Sequence, residues 1–450
     1  MQIMNIKITC HHSKEEFLES LKSFDISSNP YGSYAYLSVF LKHHPKGNFY
    51  FFNIYEEERL LAIVPFECSL DSSLLNVKYF RFVGYMQATN YEQYICRDED
   101  MEKVHNIFVN YLSEQKYKVL INYYDINTSS PLYPVLKESP LRKSANQLYT
   151  CPCLRFTDNF DDFFKTVFPT SKKRAELKKF QKKLSEIGNF RILNINDKAS
   201  YEQNKKYIDQ IYRVHGERFA RVYATSFFGS PKMRPYYSEL IESLMEEGKG
   251  FLSLLLMDEV VIAFILCLTN GETLIDWIPA FDPAFSKYSL GIVQYKMLFE
   301  DMCTPNVPYK IFDYSKGSSV YKRKWAKEET SNYQFVTHLP NWNIFSICLF
   351  LIETSRFRFK CYLRERGILR KVKHIIGAFL AWKRRGNEAR SEFEKVYSPN
   401  MEKDIKPFKY EEILNFPVSV REEILNAIYS GEQLISIQQE GSKTIAVFKK

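Results

Sequence analysis

The chain has 450 residues, more than the roughly 250–300 at which a single hydrophobic core stops growing, so two or three domains are expected. Hydrophobic and charged contents of 45% and 26% are ordinary globular values and set aside disordered and fibrous classes, while 16% aromatic residues, with 31 Tyr and 36 Phe, point to sheets or sugar-facing clefts. The formal charge of +9 is local: Arg356 to Arg385 holds eleven Lys or Arg against the single Glu365, and the rest is nearly neutral.

The start, MQIMNIKITCHHSKEEF, lacks the basic residues followed by a long apolar run of a secretory signal, which predicts a cytoplasmic protein. Nine scattered cysteines, with only Cys151 and Cys153 close together, read as reduced and structural. The doublets His11-His12 and His43-His44 have no acidic or Cys partner at ligand spacing, so no metal is expected.

In chain order, Phe49 to Phe66 reads as two apolar strands joined by a charged turn. An amphipathic helix follows at Met101 to Gln115, then the strand YKVLINYYDI from Tyr117. Thr170 to Ile187 predicts a helix with Ser171 as cap and Leu177, Phe180, Leu184 and Ile187 along one side. Seven Lys or Arg crowd Lys172 to Lys183 against Glu176 alone, a face suited to phosphate, nucleic acid or an acidic glycan, or to water.

The hairpin pattern returns at Gly250 to Leu268, with Ala263 standing 201 residues after Ala62. The helix-then-strand pattern also returns, at Ser289 to Cys303 and YKIFDYSKG, whose Tyr309 is 192 residues after Tyr117. Two similar offsets predict a tandem duplication of one α+β unit. Domain boundaries are placed at 1–150, 151–340 and 341–450. In the last of these, the nine-residue apolar run Ile344 to Ile352 is too short to span a bilayer. With the basic stretch and the apolar group Ile375, Ile376, Phe379, Leu380 and Trp382, it predicts helices lying on an anionic membrane surface through 341–385, or packed on the body. A helix at Val418 to Tyr429 and a hairpin turning at Glu440-Gly441-Ser442 end the chain.

Chemistry is expected between Leu274 and Trp325. A strand, the Asp282-Pro283 turn and a helix starting near Ser289 would present unpaired N–H groups at Tyr288, Ser289, Leu290, Gly291 and Ile292, where a pyrophosphate is favoured and Gly291 permits close approach. Next, IFDYSKGSSVYKRKWA places a strand ending at Asp313, a glycine loop at Gly317 and Tyr321-Lys322 before Trp325.

The order Asp276-Trp277, FDPAFSKYSLG, FDYSKG and YKRKW resembles the acetyltransferase domain of cellulose-biosynthesis-type (BioF2-like) proteins, a branch of the GNAT superfamily, over Phe160 to about Lys327. Upstream, His215, Arg218 and Phe219 resemble the motif before that family's central hairpin. The domain is similar in turn to the Fem peptidoglycan aminoacyltransferases, which hold two GNAT-like units in one chain. The fold expected is therefore α+β: two tandem GNAT-like units with mixed sheets, the first degenerate, then a basic helical extension and a small hairpin module.

The resemblance implies an acyl-CoA donor, acetyl-CoA or another, and a small-molecule or glycan acceptor whose amine or hydroxyl attacks the thioester directly. Asp276 or Asp313 would take the acceptor's proton, although Asp313 could equally cap the Ser315–Gly317 loop. Lys322, matching the lysine of the Fem Phe-Lys element, would stabilise the oxyanion or bind phosphate. Tyr288 or Tyr321 would protonate the leaving thiolate. His215, Arg218, Trp277, Lys316 and Trp325 are the acceptor candidates, and the first half is expected to lend shape only. Aminoacyl-tRNA as donor and a non-catalytic scaffold at the membrane are the alternatives; apart from that tRNA, nucleic acid is not an expected partner.

Overall fold

The computed structural model describes residues 5–24, 29–84, 91–223, 226–317, 319–340, 342–368, 371–372, 375–376, 392–397, 408–440 and 443–449. They form two compact units that interleave along the chain. Unit 1 comprises Met1–Leu154, Thr269–Ile275 and Ile311–Ile368, and unit 2 comprises Arg155–Leu268, Asp276–Lys310 and Leu369–Lys450. The architecture is a mixed α/β one, as the alternation of helical and strand periodicities predicts.

In unit 1, β1 (Ile6–His11), β2 (Phe49–Glu56), β3 (Arg59–Ser72) and β4 (Val77–Phe82) pair antiparallel in that order, and the short β5 (Ile95–Cys96) joins β3. The helix Met101–Ser113 then carries the chain to β6 (Lys118–Asn127), which lies parallel to β4. The core beneath these strands is rich in rings, with Phe52 and Phe66 each in contact with Phe80 and Phe108.

Strands β7 (Arg142–Arg155), β12 (Ile311–Asp313) and β13 (Glu328–His338) complete unit 1: β13 pairs antiparallel with both β6 and β7, and β12 pairs parallel with Thr273–Ile275. The segment after Lys310 thus packs with the N-terminal strands, although some 150 residues separate them in sequence.

Unit 2 repeats the series. The strand β8 (Phe190–Ile195) pairs antiparallel with β9 (Gly250–Met257), β9 with β10 (Val260–Asn270), and β10 neighbours β11 (Thr273–Phe281). The helix Leu290–Met302 follows β11 as Met101–Ser113 follows β5. The β9–β10 turn is the two-residue Asp258-Glu259, both at positive φ (46° and 70°), the geometry that matches strand twist in tight hairpins. The recurrence anticipated from the two offsets is thus present in the strands and their helices.

The helix Ser171–Ser185 buries Leu177 and Leu184, with Ile187 just beyond its end. Its cap position falls on Thr170 rather than Ser171, and Arg174 reaches back to the carbonyls of Phe168 and Pro169. At the end of the chain, the helix Val418–Tyr429 and the hairpin β15 (Gln433–Glu440) and β16 (Lys443–Lys449) appear as expected. A third strand unmarked in the sequence, β14 (Glu392–Tyr397), pairs parallel to β16. Of the residues named for the basic extension, Phe379, Leu380 and Trp382 lie outside the described residues, as do Gly441 and Ser442 of the last turn.

Candidate active site

The candidate residues of unit 1 gather at the end of β12. Ser315 (φ 51°) and Gly317 (φ 97°) turn the chain sharply, and the helix Val320–Trp325 follows, anchored by a Trp325 that is 1% exposed. The Asp313 carboxylate accepts the Ser315 backbone N–H at 2.7 Å through Oδ1 and the Tyr91 hydroxyl at 2.6 Å through Oδ2. It therefore caps the loop, as the simpler reading had it, and is also paired with a hydroxyl from the N-terminal half. Burial pushes its pKa up to about 6, against the hydrogen bonds from Tyr91 and Ser315 and the charge of Lys322.

The Lys322 ammonium donates to the carbonyl oxygens of Tyr314 and Lys316, at 3.0 Å for the latter. Its observed work is to hold the loop closed. Lys316 pairs with Asp125 at 2.5 Å, whose buried carboxyl is raised by desolvation against that ion pair and which sits at φ 56°. Non-glycine residues at positive φ concentrate where function imposes a shape. Tyr321 is half-buried on the short helix.

Tyr91 and Asp125 escaped the sequence reading; through them the first half supplies direct partners to Asp313 and Lys316. Asp125 offered a signal, the one carboxylate of the strand Lys118–Asn127. Tyr91 offered none, because 222 residues separate it from its partner and no spacing rule links them.

A small hollow of about 20 Å³ in the same unit is lined by Asn29, Tyr31, Phe82, Tyr91, Glu92 and Gln93, among others. The Asn29 side-chain amide donates to the Tyr91 carbonyl at 2.7 Å and so fixes the tyrosine between the hollow and Asp313.

In unit 2, Asp276 is 2% exposed and accepts the Tyr295 hydroxyl at 2.7 Å. Trp277, its neighbour on β11, is half-buried with its ring 6.1 Å from that of Tyr237. His215 and Arg218 share the helix Ile208–Tyr223 but serve different neighbours. His215 lies 2.7 Å from the Ser226 hydroxyl and stacks on Phe219, and burial lowers its pKa to about 4, which keeps it neutral at pH 7. The Arg218 guanidinium lies 3.7 Å from the centre of the Phe281 ring.

The helix start is built by Asp282, whose side chain accepts the Ala284 N–H at 2.9 Å, and by Ser289 at φ 52°. Tyr288 and Leu290 are fully buried, and the Tyr288 hydroxyl donates to the Leu425 carbonyl at 2.8 Å. Ser289, Gly291 and Ile292 remain partly exposed. An anion at this turn would meet backbone N–H groups rather than those two side chains. A Cβ built on Gly291 would lie 3.7 Å from Phe281, an ordinary contact. Gly291→Ala is therefore expected to fold with a melting temperature within about 2 °C of the parent, since it adds no strain. If calorimetry shows that it weakens acetyl-CoA binding, the loss measures close approach of a ligand to the backbone.

Among the described residues, no group of three or more His, Cys, Asp or Glu side chains is arranged to hold a metal, and all nine cysteines are free thiols.

Residues 171–323 match the family described as "Acetyltransferase (GNAT) domain". No curated protein matches. The solved structures similar to this chain include the C-terminal domain of a putative lysylphosphatidylglycerol synthetase from Agrobacterium fabrum, at 11% identity and TM-score 0.45 over 75% of this chain and 96% of that one. FemX is similar at 10% identity and TM-score 0.44, over 73% and 96% of the two chains. A tandem GNAT protein from the clavulanic acid biosynthesis pathway is similar at 7% identity and TM-score 0.36, over 75% and 100%. The matched segment runs from the basic helix through the Asp313 loop into the Val320–Trp325 helix, so this part of the chain is an acyltransferase domain of the GNAT type.

Proposed function

We propose that this acyltransferase moves an acyl group from acyl-CoA, acetyl-CoA in the simplest case, to an amine or hydroxyl of a sugar, polysaccharide or cell-envelope precursor. The observation that carries the reading is the Asp313 carboxyl, raised to about 6 by burial and held by Tyr91 and the Ser315 N–H. A base with that affinity is ionised at pH 7 yet accepts a proton readily. Asp313 takes the proton of the acceptor as its oxygen or nitrogen attacks the thioester carbonyl. The tetrahedral intermediate then expels the CoA thiolate, to which Tyr321 supplies a proton.

The backbone from Ser289 to Gly291 is the proposed seat of the CoA pyrophosphate, the Ile292 N–H being bonded to the Ser289 carbonyl at 2.9 Å, with Tyr288 and Leu290 supporting it from within the core. Lys322, with Lys316 and Trp325, keeps the Asp313 loop in shape, and its charge is the proposed stabiliser of the developing oxyanion. Asp276 is the second carboxylate, and His215, Arg218 and Trp277 shape the acceptor side of unit 2.

Isothermal calorimetry with acetyl-CoA tests the donor: saturable binding is expected, abolished by excess free CoA. A second reading, transfer from aminoacyl-tRNA, is favoured by the exposed Lys172, Lys173, Lys178, Lys179 and Lys182 on the helix Ser171–Ser185. Salt-sensitive binding of aminoacyl-tRNA with no uptake of acetyl-CoA would select it, and binding of neither would point to a scaffold. Lys322→Ala is expected to reduce acyl transfer by roughly a hundredfold, the scale of a lost charge-stabilising or loop-forming group. Unchanged transfer would refute the lysine's place in the site.

A further inference from the structure

The helix Ile344–Glu365 of unit 1 has two faces of different character. It begins with a reciprocal cap between Asn343 and Ser346, and its inner stripe of Ser346, Phe350, Thr354 and Phe357 is buried. Phe350 packs with Tyr79, Leu120 and Val336, and Phe357 packs with Tyr124 and Leu148. Glu353 accepts the Tyr79 hydroxyl at 3.1 Å.

The outer face is apolar. Ile344, Phe345, Leu351, Ile352, Phe359 and Tyr362 are 49–64% exposed. Eight of the fifteen large apolar side chains that stand exposed among the described residues fall between Trp342 and Ile368. At 100° per residue, Ile344, Phe345, Ile352, Phe359 and Tyr362 share one side of the helix, with exposed Arg358 on one flank and exposed Arg356 and Lys360 on the other. A helix of 22 residues is about 33 Å long, so the stripe is extended rather than a spot. Among the described residues no helix is long and apolar enough to cross a membrane.

We propose that this face lies in the surface of an anionic lipid bilayer, the apolar residues entering the acyl boundary and Arg356, Arg358 and Lys360 meeting the headgroup phosphates. Arginine and lysine stems of this kind lie along the apolar layer while their charges stay among the headgroups. The charge pattern argues against a second copy of the chain as occupant. Two-fold pairing of this face would set basic flanks against basic flanks, whereas negative lipid satisfies both. The proposal goes beyond the acyl-transfer reading and does not depend on the donor; its consequence is that unit 1, with the Asp313 loop, works at a membrane surface.

The test is sedimentation of the full chain with vesicles of phosphatidylglycerol and phosphatidylcholine, against phosphatidylcholine alone. Binding is expected only to the former and is expected to weaken as salt rises. The double variant Ile352→Glu/Phe359→Glu, at exposed positions that leave the fold and transfer to a soluble acceptor unchanged, is expected to lower partitioning at least about tenfold. The triple variant Arg356→Glu/Arg358→Glu/Lys360→Glu is expected to lose the preference for phosphatidylglycerol. Equal sedimentation of parent and double variant overturns the proposal. So does a concentration-dependent dimer, seen by light scattering without vesicles, that the double variant abolishes, since the occupant is then a second copy.

Discussion

Asp313→Asn is expected to abolish acyl transfer, by about a hundredfold to ten-thousandfold for loss of a general base, in a protein at least as stable as the parent. In the parent, transfer should fall as pH drops through about 6, where the buried carboxyl takes up a proton and can no longer accept one from the acceptor. The contribution of Asp313 to stability has the opposite sense from that of a salt-bridged aspartate. Because the folded value lies above the usual 3.8, the protonated carboxyl favours the fold below about pH 4, and that contribution is lost as pH rises through 6. At pH 7 the charged form is buried at a cost of at most about 3 kcal/mol, which the amide of Asn avoids while still offering an oxygen to the Ser315 N–H.

Tyr91→Phe separates a positioning role from a passive one. The Tyr91 hydroxyl favours the ionised form of Asp313, so its removal should move the acid limb of the pH profile upward, with kcat affected more than KM at pH 6. A profile unchanged in both position and height would mean that Asp313 does no proton transfer, and the loop cap would then be its whole role.

Arg421→Ala carries the largest expected loss of stability. The Arg421 side chain, 1% exposed, pairs with Asp282 and Glu217, each at 2.7 Å, and donates to the Tyr410 hydroxyl at 2.6 Å and the Phe416 carbonyl at 3.1 Å. Removing one partner of such a group leaves buried Asp282 without its nearest cation, and losses of this kind run to about 3–5 kcal/mol. In a unit of this size that is a fall in melting temperature of roughly 10 °C. Because Asp282 also caps the turn before the helix Leu290–Met302, and Tyr288 is held by Leu425, early proteolytic cleavage after Pro417 should accompany loss of any acetyl-CoA binding. A variant that melts with the parent would show that the C-terminal helix is held by its apolar face alone.

That C-terminal helix was legible in the sequence to its end residues, because its apolar period and flanking residues are local. Its attachment was not. Arg421 and Asp282 lie 139 residues apart, and nothing in either neighbourhood announces the other. The same contrast holds at the candidate site. The strand–loop–helix from Ile311 to Trp325 and the helix start at Ser289 follow from turn residues and periodicity, and the motif order placed them in a family.

The hairpins, the repeated helix-then-strand series and the carboxylate at the end of a strand were readable because each is written in residues close together, whereas the acyltransferase class came from the resemblance of the motif order to a family. Tertiary structure alone decided that Ile311–Ile368 packs with the N-terminal strands, and that Tyr91 and Asp125 therefore reach Asp313 and Lys316. The physical reason is that strand partners and buried ion pairs are chosen by the whole core competing for burial, which no window of neighbouring residues records.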